Sequence, residues 1–175
     1  MCNDEWVAGF TSAEGCFFIQ IYKAKTKQDE AVNLVYQLTQ HTTPIPPPHT
    51  VCGGGGYGGG RDEQLMRSIL KYLDCGGIYK NRTWFDLKVT KYRDIADKII
   101  PLFKKYPILG PPPPVLPIIF LLKKIIWGNT GGGVKALDFA DWCKVAEMMK
   151  YKKHLTEEGL EQIKKIKAGT NIGRK

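Results

Sequence analysis

An acid stands at the foot of the first helix that this sequence encodes. Glu14 closes the run Trp6-Val-Ala-Gly-Phe-Thr-Ser-Ala-Glu, which Asn3 or Asp4 can cap and Gly15 can end. The macrodipole disfavours an anion at a helix carboxyl end. Glu14 is therefore either a solvated surface group or a carboxylate held there for a cation. Ala8, Gly9 and Ala13 are small, with Gly9 and Ala13 one turn apart, so two such helices can approach backbone to backbone.

A second set of residues has the chemistry of base edges and phosphates. In a strand over residues 16–24, Phe17, Ile19 and Ile21 fall on one side and Phe18, Gln20 and Tyr22 on the other. In a strand over 84–89, Phe85, Leu87 and Val89 share a side, opposite Trp84, Asp86 and Lys88. The side away from the core has to be polar and open. Gln20, Tyr22, Asn33, Gln37, Lys80, Arg82, Trp84 and Lys88 suit base edges in a major groove, which accepts a β-ribbon. Lys23, Lys25 and Lys27 suit phosphates. Such a face can also simply be solvated. The charge balance of 26 Lys+Arg against 17 Asp+Glu, a formal +9, favours a polyanionic partner, and double-stranded DNA is the one expected.

The elements that carry these residues read clearly. After the first helix come strands over 16–24 and 32–40, a helix over 62–73, and a hairpin of 78–80 and 84–89 turning at Asn81-Arg82. Helical spacing continues over 94–105, 134–151 and 156–167, the last with Thr156-Glu-Glu-Gly near capping-box form. The class is α+β, in the order αββαββαα: a four-stranded antiparallel sheet with helices on one face. Residues 1–175 form one domain, interrupted at about 43–60 and 111–133 by stretches that open with prolines and close with glycines. Neither stretch holds an acid, and only Lys123 and Lys124 are basic, so the positive charge belongs to the rest of the chain. Both read either as translated G/C-rich hairpin elements lodged in surface loops, which tolerate length, or as ordinary low-complexity loops.

Several function classes are disfavoured. The five cysteines are scattered without a CxxC pair, against a disulfide scaffold or zinc site. His41 and His154 read as structural, with no histidine cluster for a metal. The amino end has no apolar run of the signal-peptide kind. The apolar run within 115–127 is too short and too interrupted to span a bilayer, so no membrane is expected.

The segment from Trp6 to Phe17 resembles the LAGLIDADG motif helix and the first residues of the strand after it. Gln40 ends the second strand in Leu-Thr-Gln-His, as in members of that family. The tail from Asp141-Trp142 through His154-Leu-Thr-Glu-Glu-Gly-Leu to Asn171 and Arg174 is similar to the end of fungal organellar members. The resemblance covers nearly the whole chain outside the two insertions. It implies the homing-endonuclease fold with a saddle-shaped sheet, and site-specific cleavage of double-stranded DNA. It implies that Glu14 binds Mg2+, or another divalent cation, at the scissile phosphates. It further implies that Gln40 orients metal-bound water and that Lys135 assists the transition state, with Lys104 and Lys105 as the other candidates. Two carboxylates around shared metal ions activate water and stabilise the leaving oxygen. One motif supplies one acid, so Trp6, Ala8, Gly9, Phe10 and Ala13 are expected to meet a second LAGLIDADG half. That half is a separate first-half chain in a split enzyme or, next in order, an identical copy. Ser12 departs from the family's usual acid two residues before the catalytic one. The alternatives are an intron maturase, a degenerate relative kept as a structural RNA-binding subunit, and a DNA-binding pseudoenzyme. A mitochondrial location follows from the same resemblance.

Overall fold

The computed structural model describes residues 2–24, 29–41, 58–81, 83–108 and 131–170. Lys25, Lys27, Arg82 and most of the two proline/glycine stretches lie outside the described residues. Helix α1 (Asp4–Glu14) is capped by Asn3, whose Oδ1 accepts from the Trp6 amide at 2.8 Å. It passes into β1 (Gly15–Lys23) with no linker. Only glycine fits that junction: a Cβ on Gly15 would lie 2.4 Å from Thr11 Cγ2 and 2.6 Å from the Thr11 carbonyl oxygen. Strand β2 (Glu30–His41) pairs antiparallel with β1, Gly15 opposite Leu38 and Lys23 opposite Glu30. Then follow α2 (Gly58–Leu73), β3 (Gly77–Lys80) and β4 (Trp84–Val89). The sheet order is β1-β2-β4-β3, antiparallel throughout.

After β4 the chain forms α3 (Tyr92–Asp94), a π turn (Ile95–Ile99) and α4 (Ile100–Lys105) without a break. Pro101 explains the π turn: it lacks the amide that would bond back to Asp97, so the backbone widens by one residue instead of breaking. Helix α5 (Gly131–Lys150), a 3-10 turn (Lys153–Leu155) and α6 (Glu157–Ala168) follow. Among the described residues three helical stretches thus come after β4, where the order αββαββαα has two. Thr156 caps α6, its hydroxyl accepting from the Gly159 amide at 3.2 Å. The closing glycines of the two inserted stretches differ from expectation. Gly58–Gly60 and Gly131–Gly133 are the opening turns of α2 and α5 rather than loop. Glycine costs a helix about 1 kcal/mol per residue, which the long apolar faces downstream offset.

Among the described residues, α1, α4 and α5 pack on the sheet face that carries Phe17 and Tyr36. Alternation in β1, β2 and β4 puts Phe17, Ile19, Leu34, Tyr36, Leu38, Phe85, Leu87 and Val89 inward, and all are buried. Trp142 of α5 packs its ring 5.2 Å from Phe17 and donates Nε1–H to the Phe18 carbonyl at 3.2 Å. The Lys164 ammonium of α6 reaches Glu30 at 2.5 Å. Together they hold the carboxyl-terminal helices on the sheet.

Candidate functional site

The docking of α1 decides where its acid points. Val7, Ala8 and Thr11 face the core and are buried, Thr11 sharing a 2.7 Å hydrogen bond with the Tyr36 hydroxyl. Burial raises the Tyr36 phenol above its ordinary range, against the opposing effect of that bond. The outward stripe is Trp6, Gly9, Phe10 and Ala13 at helical spacing i, i+3, i+4 and i+7. Glu14 extends the stripe at i+8, exposed, as the last residue of α1. Trp6 is 40% exposed and stacks on the half-buried Phe10, centroids 5.3 Å apart and planes within 7°. A Cβ on Gly9 would meet nothing within 4 Å. Ala8, expected on this seam, belongs to the opposite face at 5% exposure. It is buried in the core cluster and leaves the seam to its four neighbours.

Lys135 of α5 reaches the carboxyl end of α1. Its ammonium donates to the Ser12 carbonyl at 3.0 Å and to the Ala13 carbonyl, where a cation complements the helix dipole. The Ser12 hydroxyl turns back to the Ala8 carbonyl at 2.8 Å, so this departure from the family's acid serves the helix itself. Nearby, burial pushes the Cys16 thiol up, Lys135 opposing and Asp138 adding to it. Strand β2 runs past the last β1 pair, and Gln40 sits opposite Phe85 on the helix-side register. Its Nε2 is 3.5 Å from the His41 carbonyl. Glu14, Gln40 and Lys135 therefore gather at one end of the sheet, where α1 enters β1. Lys104 and Lys105 are exposed at the end of α4. Among the described residues no group of three or more His, Cys, Asp or Glu comes together; one chain contributes one outward carboxylate, Glu14, to this end.

The open sheet face carries most of the residues expected to meet DNA. Cross-strand pairs place Gln20 beside Asn33, Tyr22 beside Ala31, Gln37 beside Lys88 and His41 beside Trp84. Lys23 ends β1, exposed. Lys80 departs from this: it pairs with Phe85 on the helix-side register, its ammonium 5.5 Å from the ring centroid, and is exposed at the sheet edge. The period of two in the short β3 sends Tyr79, not Lys80, to the open face. Two residues of this face are buried, Val35 and Asp86. Asp86 was not singled out from sequence as a functional residue. The signal for it is an acid alternating with Trp84 and Lys88 on a face otherwise suited to a polyanion. Its carboxylate collects Gln37, Thr39, Asn81, Trp84 and Lys88. No described helix is long and apolar enough to cross a membrane.

With this geometry established, similarity to known proteins is specific. The model of the LAGLIDADG endonuclease family matches residues 7–111. Two Neurospora crassa proteins are similar: "Probable intron-encoded endonuclease 3", 27% identical over 90% of this chain, and "Probable intron-encoded endonuclease 2", 31% identical over 93%. The chain spans 22% and 26% of their respective lengths. Among solved structures, the meganuclease I-SmaMI bound to uncleavable DNA superposes with a TM-score of 0.73 at 34% identity, over 99% of this chain and 47% of that one. The I-LtrWI LAGLIDADG homing endonuclease bound to target DNA superposes with 0.73 at 32% identity, over 99% and 46%. The family match covers more than half of the sequence, and the chain belongs to the LAGLIDADG endonuclease family.

Proposed function

We propose that this chain is one half of a metal-dependent, site-specific double-strand DNA endonuclease that works after pairing with a second LAGLIDADG half. The observation that carries the reading is Glu14 at the foot of the exposed stripe Trp6, Gly9, Phe10 and Ala13. A matching helix laid on that stripe would bring a second acid beside the first. The chain spans just under half of the solved DNA-bound relatives. A bound divalent cation polarises the phosphate and lowers the pKa of the attacking water. The residues present fit such an ion: Mg2+ takes hard oxygen donors, often one or two carboxylates together with substrate phosphates and waters. Glu14 from each half would hold it, Gln40 would orient the attacking water, and Lys135 would place a positive charge beside the reacting phosphate. The open sheet face would enter the major groove through Gln20, Tyr22, Asn33, Gln37, Trp84 and Lys88, with Lys23 on phosphate. Lys25, Lys27, Lys80 and Arg82 would widen the basic border.

A separate first-half chain as partner stands ahead of an identical copy, and mass measurement of the native complex decides between them. The similarity to fungal intron-encoded endonucleases supports an organellar, mitochondrial setting. A second reading has one observation in its favour. The Lys135 ammonium is engaged by the Ser12 and Ala13 carbonyls, as expected of a protein that binds DNA without cutting it, or of a maturase or structural subunit that binds RNA. The deciding experiment incubates the native complex with genomic DNA of its own source and maps new ends. Magnesium-dependent double-strand breaks at one site, lost in Glu14→Gln with binding unchanged, support the nuclease. Preference for structured RNA over duplex DNA with no new ends supports the second reading.

A further inference from the structure

An anion in the middle of a face that meets a polyanion is electrostatically unfavourable, so Asp86 needs another reason to be there. It is 3% exposed and too deep to touch a base itself. Its Oδ1 accepts from Gln37 Nε2 at 3.0 Å and Thr39 Oγ1 at 2.8 Å. Its Oδ2 accepts from Trp84 Nε1 at 3.2 Å and Asn81 Nδ2 at 3.3 Å, with the Lys88 ammonium at 3.4 Å. Five donors saturate a carboxylate, which offers about four lone-pair sites.

The consequence falls on Gln37. Its Nε2 also donates to Thr39 Oγ1 at 3.0 Å, so the amide nitrogen faces into the network and the carbonyl oxygen lies on the other side of the amide. The opposite amide orientation would set Oε1 against the Asp86 carboxylate, oxygen against oxygen, so Asp86 fixes the orientation. Among the described residues nothing donates to Gln37 Oε1. A free glutamine can donate and accept together, the pattern that recognises adenine bidentately. This one has its nitrogen turned into the network and its carbonyl oxygen left to accept.

We propose that Asp86 is a specificity-determining positioning residue: it turns Gln37 so that its carbonyl oxygen reads the base, and so selects one with a major-groove amino group. Those bases are adenine, through N6, and cytosine, through N4; guanine and thymine would turn O6 or O4 toward the same oxygen. The inference rests on the open face being the DNA-binding surface. Asp86→Asn makes a sharp test. Lys88, Trp84 and Asn81 all donate to one side of residue 86, so the new side chain keeps its oxygen there and turns its amide nitrogen toward Gln37. Gln37 then flips to accept, and presents its NH2 outward to guanine or thymine.

The experiment selects bound duplexes from a pool randomised over 20 base pairs, using the native complex with the full chain as wild type, Asp86→Asn and Gln37→Met, each with its melting temperature. The expected result is one position at which the wild type favours A or C roughly two- to tenfold, the range for one hydrogen bond. Gln37→Met levels that position and Asp86→Asn shifts it toward G or T, other positions holding. An unchanged preference in folded Asp86→Asn overturns the proposal. Should that variant not fold, a wild-type preference for G or T at the position that Gln37→Met levels overturns it equally. Retention of duplexes without enrichment at any Gln37-dependent position removes this inference alone, whereas failure to retain duplex removes the DNA-binding reading beneath it.

Discussion

Replacing Thr11 with valine takes one hydroxyl from the hinge between the motif helix and the sheet. The Thr11–Tyr36 pair is buried on both sides and 2.7 Å long. Valine keeps the shape and strands the Tyr36 hydroxyl in the core, at a cost of about 1–3 kcal/mol. For a domain of this size the middle of that range lowers Tm by roughly 4–8 °C. Tyr36→Phe should cost less, because the Thr11 hydroxyl can turn to the carbonyl four residues earlier, as threonines in helices do. In the double variant no unsatisfied group remains, so its loss should fall short of the summed single losses by about 1 kcal/mol or more. Urea and thermal melts of the four proteins measure this. Additive losses would refute the coupling and with it the argument that this bond seats α1. Because α1 ends in Glu14, the variants that loosen it should also weaken pairing of the halves in the same order.

Gly15→Ala should destabilise the protein by about 1–3 kcal/mol, since its methyl would enter Thr11; melting curves show it, and cleavage should fall further than stability as Glu14 is re-aimed. Lys135→Met removes the cation at the α1 carboxyl end and should cost roughly 0.3–2 kcal/mol, read by urea denaturation. Burial lowers the His154 pKa in the fold, against the opposing effect of the Met148 backbone. A depressed histidine contributes stability that is complete above the unfolded value of about 6.5 and is lost as pH falls through it toward the folded value. Tm should therefore drop between pH 7 and 5, and His154→Gln should flatten that drop.

The legible parts of this fold are those written in local periodicity. Phe17, Ile19 and Ile21 alternate with Phe18, Gln20 and Tyr22, and the register in the structure keeps that division. Asn3, Gly15 and Thr156 mark helix boundaries because capping is a local act. The parts that were not legible depend on neighbours distant in the chain. Ala8 reads as a seam residue by size, yet the placement of Val7 and Thr11 against the sheet draws it inward. Lys80 reads as a surface base, yet its parity is set by pairing with Phe85. Gly58–Gly60 and Gly131–Gly133 read as loop by composition, and the helices behind them extend through them. At the site, the motif acid was visible in the sequence. The convergence of Gln37, Thr39, Asn81, Trp84 and Lys88 on Asp86 was not, because it needs the register of β2 on β4.

Glu14, not a neighbouring group, should take the divalent ion when two halves close on duplex DNA. Electron paramagnetic resonance of Mn2+ titrated into the native complex on its mapped target tests it directly. The wild type should bind the ion in the presence of duplex, and Glu14→Gln should lose that binding while still retaining the DNA. Undiminished Mn2+ binding by Glu14→Gln would mean that another group holds the ion.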